Sequence, residues 1–470
     1  MNAVEIPQPR KTELSQSLKM RHLSMISIGG IIGAGLFVGS SAGIHGAGPG
    51  IVVSYLLTGI LMLLVMRMLG EMATALPGVR SFTEFARVSL GPWAGFVTGW
   101  LYWYFWMIVV PIEAIAGANI LAPVLGLPSW EIGVGLILIM TGVNLMSARS
   151  YGEFEFWFAS IKVAAIIAFI AMGAAYVLGW TSAGTGGLHN LTANGGFAPN
   201  GWTAVLAGAV TVFFALTGTE IITVAAAESS EGTRAIARAT TSVIIRILTF
   251  YVGSIFLIVC IVPWTLVRVG DSPFTLALTT IGFNWASVAM SGLILTAVLS
   301  CLKSAFYVCS RVLFVLAEHG FAPNWLVQVN ARKVPTHSVI VSAIAGVLGI
   351  FAATFAPQAV FAFLVNASGA LMVFIYIIIS FAQIRLRKSR EAQGAPEPPL
   401  KMWLFPWASY VAVVGMFAVL MAMAVSPSMM RDLYVSLLAL VIVLVAFRIN
   451  QRGRARRVAR APGAEIQAET

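Results

Sequence analysis

The chain has 470 residues, of which 59% are hydrophobic and only 10% are charged, and its mean hydropathy is +0.90. Soluble proteins carry roughly 25% charged residues, so this composition excludes a soluble enzyme or a soluble binding protein and predicts a polytopic membrane protein. The net charge of +11 does not indicate a nucleic-acid partner, because many of the basic residues flank the first and last apolar segments.

Twelve apolar segments follow one another along the chain, each close to the length of about 20 residues that spans a bilayer core. We therefore predict an all-α membrane domain over residues 22–449, a polar N-terminal tail over 1–21 and a basic C-terminal tail over 450–470. No cleavable signal sequence is apparent. The predicted spans lie near residues 22–46, 48–70, 92–124, 129–147, 153–179, 202–228, 239–264, 284–318, 337–356, 358–386, 403–425 and 429–449.

The distribution of Lys and Arg among the connections predicts the orientation of these spans. Connections 67–90 and 230–246 hold three basic residues each and connection 385–401 holds five, whereas the alternate connections hold one or none. Because basic loops stay in the cytoplasm, both termini are predicted to be cytoplasmic. The sequence thus predicts a multi-pass protein of the plasma (inner) membrane, surrounded by the lipid bilayer.

The first span contains five glycines within SIGGIIGAGLFVGS (residues 27–40), although Gly costs about 1 kcal/mol relative to Ala inside a helix. Backbone groups left unpaired in hydrocarbon are tolerated only where they face a cavity or a ligand. The glycines therefore fit a helix break at which a ligand reaches the backbone of Gly33, Ala34 and Gly35. They equally fit close helix packing through the small-residue pair Gly29 and Gly33.

The third and fifth spans each carry an ionisable residue far from water, Glu113 and Lys162. Each costs at least roughly 2.5–3.5 kcal/mol at a lipid-exposed helix centre, so both are expected to face the bundle interior. Lys162 fits a group that links substrate binding to a proton, and it also fits a structural lysine; Glu113 fits a proton relay or a structural pair.

The third span also contains the aromatic run WLYWYFW (residues 100–106). An interfacial belt of aromatic side chains at the membrane surface is one explanation of this run.

The sixth span, VTVFFALTGTEIITVAAAES (residues 210–229), has Gly218 near its middle and Glu220 two residues later. The first and sixth spans occupy corresponding positions in two halves of five spans. Gly-interrupted segments in such positions point to a transporter binding site. Free amides at a break suit a carboxylate and free carbonyls suit an ammonium group, so a zwitterion such as an amino acid is the predicted substrate.

The eighth span contains Lys303, which either pairs with a carboxylate or lies near the membrane surface. Its role, and that of Cys301 two residues earlier, are left open by the sequence. Cys260, Cys301 and Cys309 all fall inside apolar segments, so no disulfide is expected. The spacing of His and Cys residues predicts neither a metal site nor a cofactor.

Four stretches of the chain resemble the amino acid transporter family of the amino acid–polyamine–organocation superfamily. They read GGIIGAGLFVGS, GEFEFWFASIKVAAIIAFI, FFALTGTEIITVAAAES and SRVLFVLAEHGFAPNWL. The likeness runs in register from about residue 18 to 390, and GWLYWYFWMIVVPIEA (residues 99–114) is most similar to GABA (gamma-aminobutyric acid) permeases. The resemblance implies secondary active uptake of an amino acid, usually by proton symport.

The resemblance also implies a LeuT-like fold, in which spans one to five (about 22–180) and six to ten (about 202–387) are inverted repeats. Two extra helices (about 403–449) follow them. In this family the break of the first span binds the substrate carboxylate, the break of the sixth span supplies carbonyls and an aromatic gate at Phe214, and Lys162 takes the place of a sodium ion. The implied substrate-binding positions are Ile31, Gly33, Ala34, Gly35, Phe214, Ala215, Leu216, Gly218 and Glu220.

The chain departs from the family pattern at three places. Ala215-Leu216-Thr217 replaces a segment that commonly reads Ser-Phe-Met in GABA permeases, Lys303 stands where the family usually has Asn, and Arg80 stands in place of Gly. The first two departures bear on the substrate. The sequence predicts a proton-coupled permease for GABA or a related amino acid. The alternatives are a proton-coupled permease for α-amino acids, a sodium-coupled or exchange carrier, and a membrane nutrient sensor.

Overall fold

The computed structural model describes residues 32–76, 79, 81–146, 151–180, 187–220, 247–330 and 334–459, and these residues are helices and connections. Ile31, Arg80 and the tail 1–21 lie outside them. The first helices are α1 (Ala34–Phe37), α2 (Ser40–Ala47), α3 (Ile51–Ala75), α4 (Phe82–Leu90), α5 (Pro92–Leu125), α6 (Ser129–Met146), α7 (Tyr151–Val177) and α8 (Gly201–Leu216). They are followed by α9 (Ser254–Ile261), α10 (Pro273–Thr280), α11 (Asn284–Glu318), α12 (Thr336–Phe355), α13 (Pro357–Ala392), α14 (Trp407–Val425) and α15 (Met430–Ala459).

Each of the twelve predicted spans has a helical counterpart among the described residues. The first, sixth and seventh spans are described only in part, from residue 32, up to residue 220 and from residue 247. Among the described residues, eight helical stretches are long and apolar enough to cross a membrane, one of them containing α1, α2 and α3, and three shorter apolar helices correspond to spans four, six and seven. The all-α, polytopic fold predicted from the sequence is confirmed.

Helices α4, α10 and α13 and the last helix, α15, depart from the predicted boundaries: α10 lies in a predicted connection and α13 ends six residues beyond the predicted span. The connection after the second span contains α4, which begins where the Ser81 hydroxyl accepts a hydrogen bond from the Glu84 amide at 3.2 Å. Such N-caps stabilise a helix by about 1 kcal/mol. The last helix, α15, continues to Ala459, ten residues beyond the predicted end of span twelve, because Arg and Ala are good helix formers in water as well as in lipid.

The sixth span is interrupted inside the membrane domain, as its sequence predicts. The helix α8 ends at Leu216, Thr217 has an extended backbone, and helix geometry resumes at Thr219. Gly218 has a φ of +98°, a conformation that Gly adopts at little cost and that other residues disfavour. In the first span Gly33 is extended and α1 starts at Ala34, so both glycine-rich segments contain a non-helical position.

The predicted membrane charges face the interior of the bundle. The side chains of Glu113, Lys162 and Glu220 are at most 1% exposed, which agrees with the cost of leaving a charge in lipid. They come from α5, α7 and the residues after α8. The third and eighth spans, α5 and α11, pack against each other at the centre of this arrangement.

At one end of the bundle, the buried carboxylate of Glu71 holds the connection between α13 and α14 against α3. Its Oε2 atom accepts hydrogen bonds from the Met402 amide and from Arg387 Nη1, the latter at 3.4 Å. Nearby, Arg67 Nε donates to the Lys401 carbonyl at 2.7 Å. The ends of α3 and α13 are thereby tied to one connection.

Glu71→Ala is expected to destabilise the protein by about 3 kcal/mol, because it leaves the buried Met402 amide without an acceptor and takes from Arg387 the more buried of its two carboxylate partners. Glu391→Ala is the matched control. Glu391 binds the same Arg387 at 2.9 Å but is 57% exposed, so its loss is expected to cost less than about 1 kcal/mol. Unfolding of both purified variants measures the difference, and equal losses would contradict this role of Glu71.

Candidate functional site

The two glycine-interrupted segments lie directly against each other. A Cβ atom added at Gly35 would lie 2.9 Å from the Ala215 Cα, and one added at Gly39 would lie 3.3 Å from Phe214 Cε1. Only glycine allows this approach, since real side chains do not come so close to backbone atoms. The structure therefore brings the predicted positions of the first and sixth spans, Gly35 with Phe214 and Ala215, into one site.

A carboxylate binds the backbone at the start of α1. The Ala34 amide lies 3.2 Å from both Oε1 and Oε2 of Glu113, and the Cys301 thiol also hydrogen-bonds this carboxylate. A Cβ atom added at Gly33 would lie 2.8 Å from Cys301 Sγ and 2.9 Å from Glu113 Oε1. Gly33, Ala34, Glu113 and Cys301 thus form one cluster, in which the break of the first span is already in contact with a carboxylate.

Lys162 lies close enough to this cluster to act on it electrostatically. Its side chain is fully buried, its Nζ atom donates to the Ser300 hydroxyl at 3.3 Å, and it interacts with the Glu113 carboxylate through space. Ser300 immediately precedes Cys301 on α11. Lys162 and Glu113 are therefore connected through two neighbouring residues of α11: Ser300 binds Lys162, and Cys301 binds Glu113.

The second buried carboxylate, Glu220, is held at the break of the sixth span. Its Oε1 atom accepts a hydrogen bond from the Tyr102 hydroxyl at 3.2 Å. Its Oε2 atom accepts from the Tyr376 hydroxyl at 3.0 Å and from the Gly218 amide at 2.9 Å. Three donors from α5, α13 and the break itself thus fix Glu220 at the position where α8 has ended.

Tyr376→Phe is expected to lower substrate uptake about tenfold, because a hydrogen bond to a charged group contributes about 1.5–3 kcal/mol and Tyr376 orients Glu220. Tyr55→Phe is the matched control. Tyr55 is also fully buried, but its hydroxyl has no hydrogen-bond partner among the described residues. Initial uptake rates of both variants test this role, and an equal loss in the two would show only a general cost of removing a buried hydroxyl.

The structure also contains site residues that the sequence analysis did not single out. Tyr376 and Ser300 lie in ordinary apolar surroundings in the sequence, and only the packing of α11 and α13 brings them to the charges. Tyr102 and Phe105 belong to the aromatic run of the third span. Phe105 packs on Phe214 with ring centroids 6.3 Å apart.

The interfacial-belt explanation of the aromatic run is wrong for three of its members. Tyr102, Phe105 and Trp106 are at most 6% exposed, because Tyr102 and Phe105 contact Glu220 and Phe214 of the sixth span and Trp106 packs on the rings of both Tyr102 and Phe105. The sequence left the roles of Cys301 and Lys303 undecided. Cys301 is buried in the cluster with Gly33, Ala34 and Glu113, whereas Lys303 is half-buried two residues further along α11.

The geometry defines the class of protein. Two interrupted membrane segments in corresponding halves meet beside buried charges, which is the architecture of secondary transporters with a central binding site. A crystal structure of a manganese transporter from Eremococcus coleocola shares this fold, with a TM-score of 0.57 over 94% of this chain and 98% of that chain, at 12% identity. The protein therefore has a LeuT-like transporter fold.

The chain belongs to the amino acid permease family, whose model matches residues 22–459. It is 42% identical to the gamma-aminobutyric acid permease of Bacillus subtilis, over 93% of this chain and 94% of that protein. It is 44% identical to the gamma-aminobutyric acid permease of Escherichia coli, over 88% and 90%. The aromatic amino acid transport protein AroP of Corynebacterium glutamicum is 36% identical, over 88% and 91%. The protein is thus a multi-pass amino acid permease and not an enzyme.

Proposed function

We propose that this permease imports GABA or a related ω-amino acid together with a proton, across the plasma membrane and into the cytoplasm. The observation that carries the proposal is the carboxylate of Glu113 on the Ala34 amide, beside the buried cation Lys162. The choice of GABA rests on relatives 42–44% identical that carry that name.

The substrate carboxylate binds the backbone of Gly33, Ala34 and Gly35. Support comes from the Ala34 amide, which already donates to a carboxylate in this structure. At Gly33 and Gly35 any side chain would collide with Cys301, Glu113 or Ala215, so only glycine keeps this stretch of backbone free of a side chain of its own. Ile31, the further binding position implied by the resemblance in this segment, lies outside the described residues.

The substrate ammonium group binds at the sixth span. The carbonyls of Ala215 and Leu216 lie at the last turn of α8, where helices leave carbonyl groups without an intrahelical amide partner. The Leu216 carbonyl accepts a hydrogen bond from the Thr219 hydroxyl, which leaves it a second lone pair, and Glu220 adds a carboxylate close by. Gly218 lets the backbone turn there, and Phe214 covers the site from the α8 side. An ω-amino acid separates its two charged groups by several methylenes, which suits two separate binding ends.

Proton coupling follows from competition at Ala34. A charged carboxylate forms hydrogen bonds about twice as strong as a neutral one, so a proton arriving on Glu113 weakens its bond to the Ala34 amide. The amide is then free for the substrate carboxylate. Loss of the proton returns Glu113 to the amide and releases the substrate, and the buried Lys162, which is bound to the neighbouring Ser300, is the opposite charge for the carboxylate that results. Alternating access is completed by movement of the first and sixth spans against the rest of the bundle.

The direct test is uptake of radiolabelled GABA into proteoliposomes that hold the purified protein. An inward proton gradient and a sodium gradient are applied separately, and unlabelled amino acids of different chain length compete in parallel. We expect accumulation with the proton gradient alone, competed best by ω-amino acids and abolished by a protonophore.

Each of the other possible results would reject one part of the proposal. Proton-driven uptake competed best by α-amino acids would retain the coupling and reject GABA. Uptake driven by sodium alone would remove Lys162 and Glu113 from their proposed roles. Binding of labelled GABA without any flux would favour a membrane nutrient sensor over a carrier.

A further inference from the structure

An apolar groove of about 630 Å³ runs along the outer surface of α13 near its C-terminal half. One face of α13 lines it, since Ile378, Phe381, Arg385 and Lys388 recur at the spacing of one helix face. The other wall is formed where α4 meets α5, by Leu90 and Trp93. The groove thus has an apolar floor and two basic residues towards one end.

The basic end of the groove is not neutralised by the protein. Arg385 and Lys388 are both exposed, and Arg385 forms no ion pair with any described residue. Lys388 Nζ donates to the hydroxyl of Tyr410, a neutral partner, at 3.2 Å. Glu391 lies one turn away on the same helix but hydrogen-bonds Arg387 Nε at 2.9 Å. An excess of positive charge therefore remains at the mouth of the groove.

Aromatic side chains place this end of the groove at the membrane surface. Trp93 is 39% exposed, Trp407 is 74% exposed and Tyr410 is 36% exposed. All three lie at the N-terminal ends of α5 and α14, next to the C-terminal end of α13 that carries Arg385 and Lys388. Exposed Trp and Tyr side chains collect at the level of the lipid headgroups. The apolar part, with Ile378 and Phe381, consequently lies at the depth of the acyl chains.

We propose that this groove binds an anionic glycerophospholipid such as phosphatidylglycerol. One acyl chain lies along Ile378 and Phe381 against Trp93, and the phosphate group lies between Arg385 and Lys388. Basic pockets between membrane helices are known to bind anionic headgroups. A zwitterionic lipid would bring an ammonium group against the two cations, and a small soluble anion would leave the apolar floor uncovered. The site is independent of the transported substrate.

Titration of the purified full-length permease with phosphatidylglycerol, followed by native mass spectrometry, tests the proposal. Arg385→Gln/Lys388→Gln is expected to weaken phosphatidylglycerol binding about tenfold, since each basic residue near an anionic lipid contributes about fivefold or less. Arg452→Gln is the matched control, because it removes one exposed cation of α15 that lies outside the groove. Phosphatidylcholine with the same acyl chains is expected to bind weakly to all three proteins.

A photoactivatable phosphatidylglycerol then locates the lipid on the wild-type protein. Labelling of peptides that contain residues 90–93 or 378–389 supports the groove. Unchanged affinity in the double variant, equal binding of phosphatidylcholine and phosphatidylglycerol, or labelling confined to other peptides would each overturn the proposal. GABA uptake is measured in parallel, so that failure of the lipid site and failure of the transport proposal remain distinguishable.

Discussion

Gly33→Val is expected to abolish uptake at every substrate concentration. The first atom of any side chain at this position would lie 2.8 Å from Cys301 Sγ and 2.9 Å from Glu113 Oε1. Even Gly33→Ala therefore forces α1 and α11 apart, at a cost of about 1–3 kcal/mol for overpacking, and the two further methyl groups of Val fill the space proposed for the substrate carboxylate. We expect Gly33→Ala to lower uptake about tenfold and Gly33→Val to remove it.

Gly46→Ala provides the matched control in the same span. A Cβ atom added at Gly46 would lie 3.9 Å from the Met429 Cε atom and at least 4 Å from every other described neighbour outside its own helix. This distance is an ordinary van der Waals contact. Uptake by this variant is expected to equal that of the wild-type protein. The measurement is the substrate dissociation constant together with the uptake rate of each purified variant. Normal substrate affinity in Gly33→Val would show that the carboxylate binds elsewhere.

The sequence was sufficient to predict the twelve spans because bilayer crossing is set by composition over about 20 residues. It also located the interruption at Gly218, since a glycine followed by a buried carboxylate has few uses in the middle of an apolar helix. The burial of Glu113, Lys162 and Glu220 followed from the cost of a charge in lipid. These predictions depend on local properties of the chain.

The partners of those charges depend on tertiary packing and were not predictable in the same way. Tyr376 is 156 residues away from Glu220 in the chain, and Ser300 is 138 residues away from Lys162. The aromatic run 100–106 illustrates the same limit. Period and composition indicate that it belongs to a membrane helix, but only the position of α5 against the sixth span decides that Tyr102 faces Glu220 instead of the headgroups.

The proposed mechanism assigns the two buried carboxylates different roles, and their hydrogen bonds support this assignment. Glu220 is held by three donors, two of them tyrosine hydroxyls, and is suited to stay in place while the substrate ammonium binds. Glu113 accepts from a single backbone amide, at 3.2 Å to each oxygen, and from a thiol, which is a weak donor. Glu113 is therefore the carboxylate that the substrate can displace.

Lys162→Met is expected to abolish accumulation driven by a proton gradient while leaving substrate exchange intact. The substitution keeps the apolar stem but removes the buried amine that lies beside Ser300, next to the cluster of Cys301 and Glu113. Net uptake is expected to fall about a hundredfold, which corresponds to roughly 2.7 kcal/mol of lost coupling. Exchange of internal for external substrate needs no net proton movement, so it continues as long as Gly33, Ala34 and Gly35 are unaltered.

Two further variants separate coupling from stability. Ser300→Ala removes the 3.3 Å hydrogen bond to Lys162 Nζ but keeps the charge, so proton-driven uptake is expected to fall only a few-fold. Lys162→Met/Glu113→Gln removes both charges and avoids the several kcal/mol cost of a buried charge without its partner. It is therefore expected to remain folded, to exchange substrate and to lack proton-driven accumulation. Wild-type accumulation in Lys162→Met would instead show that Lys162 is structural, and that the proton is carried by other groups.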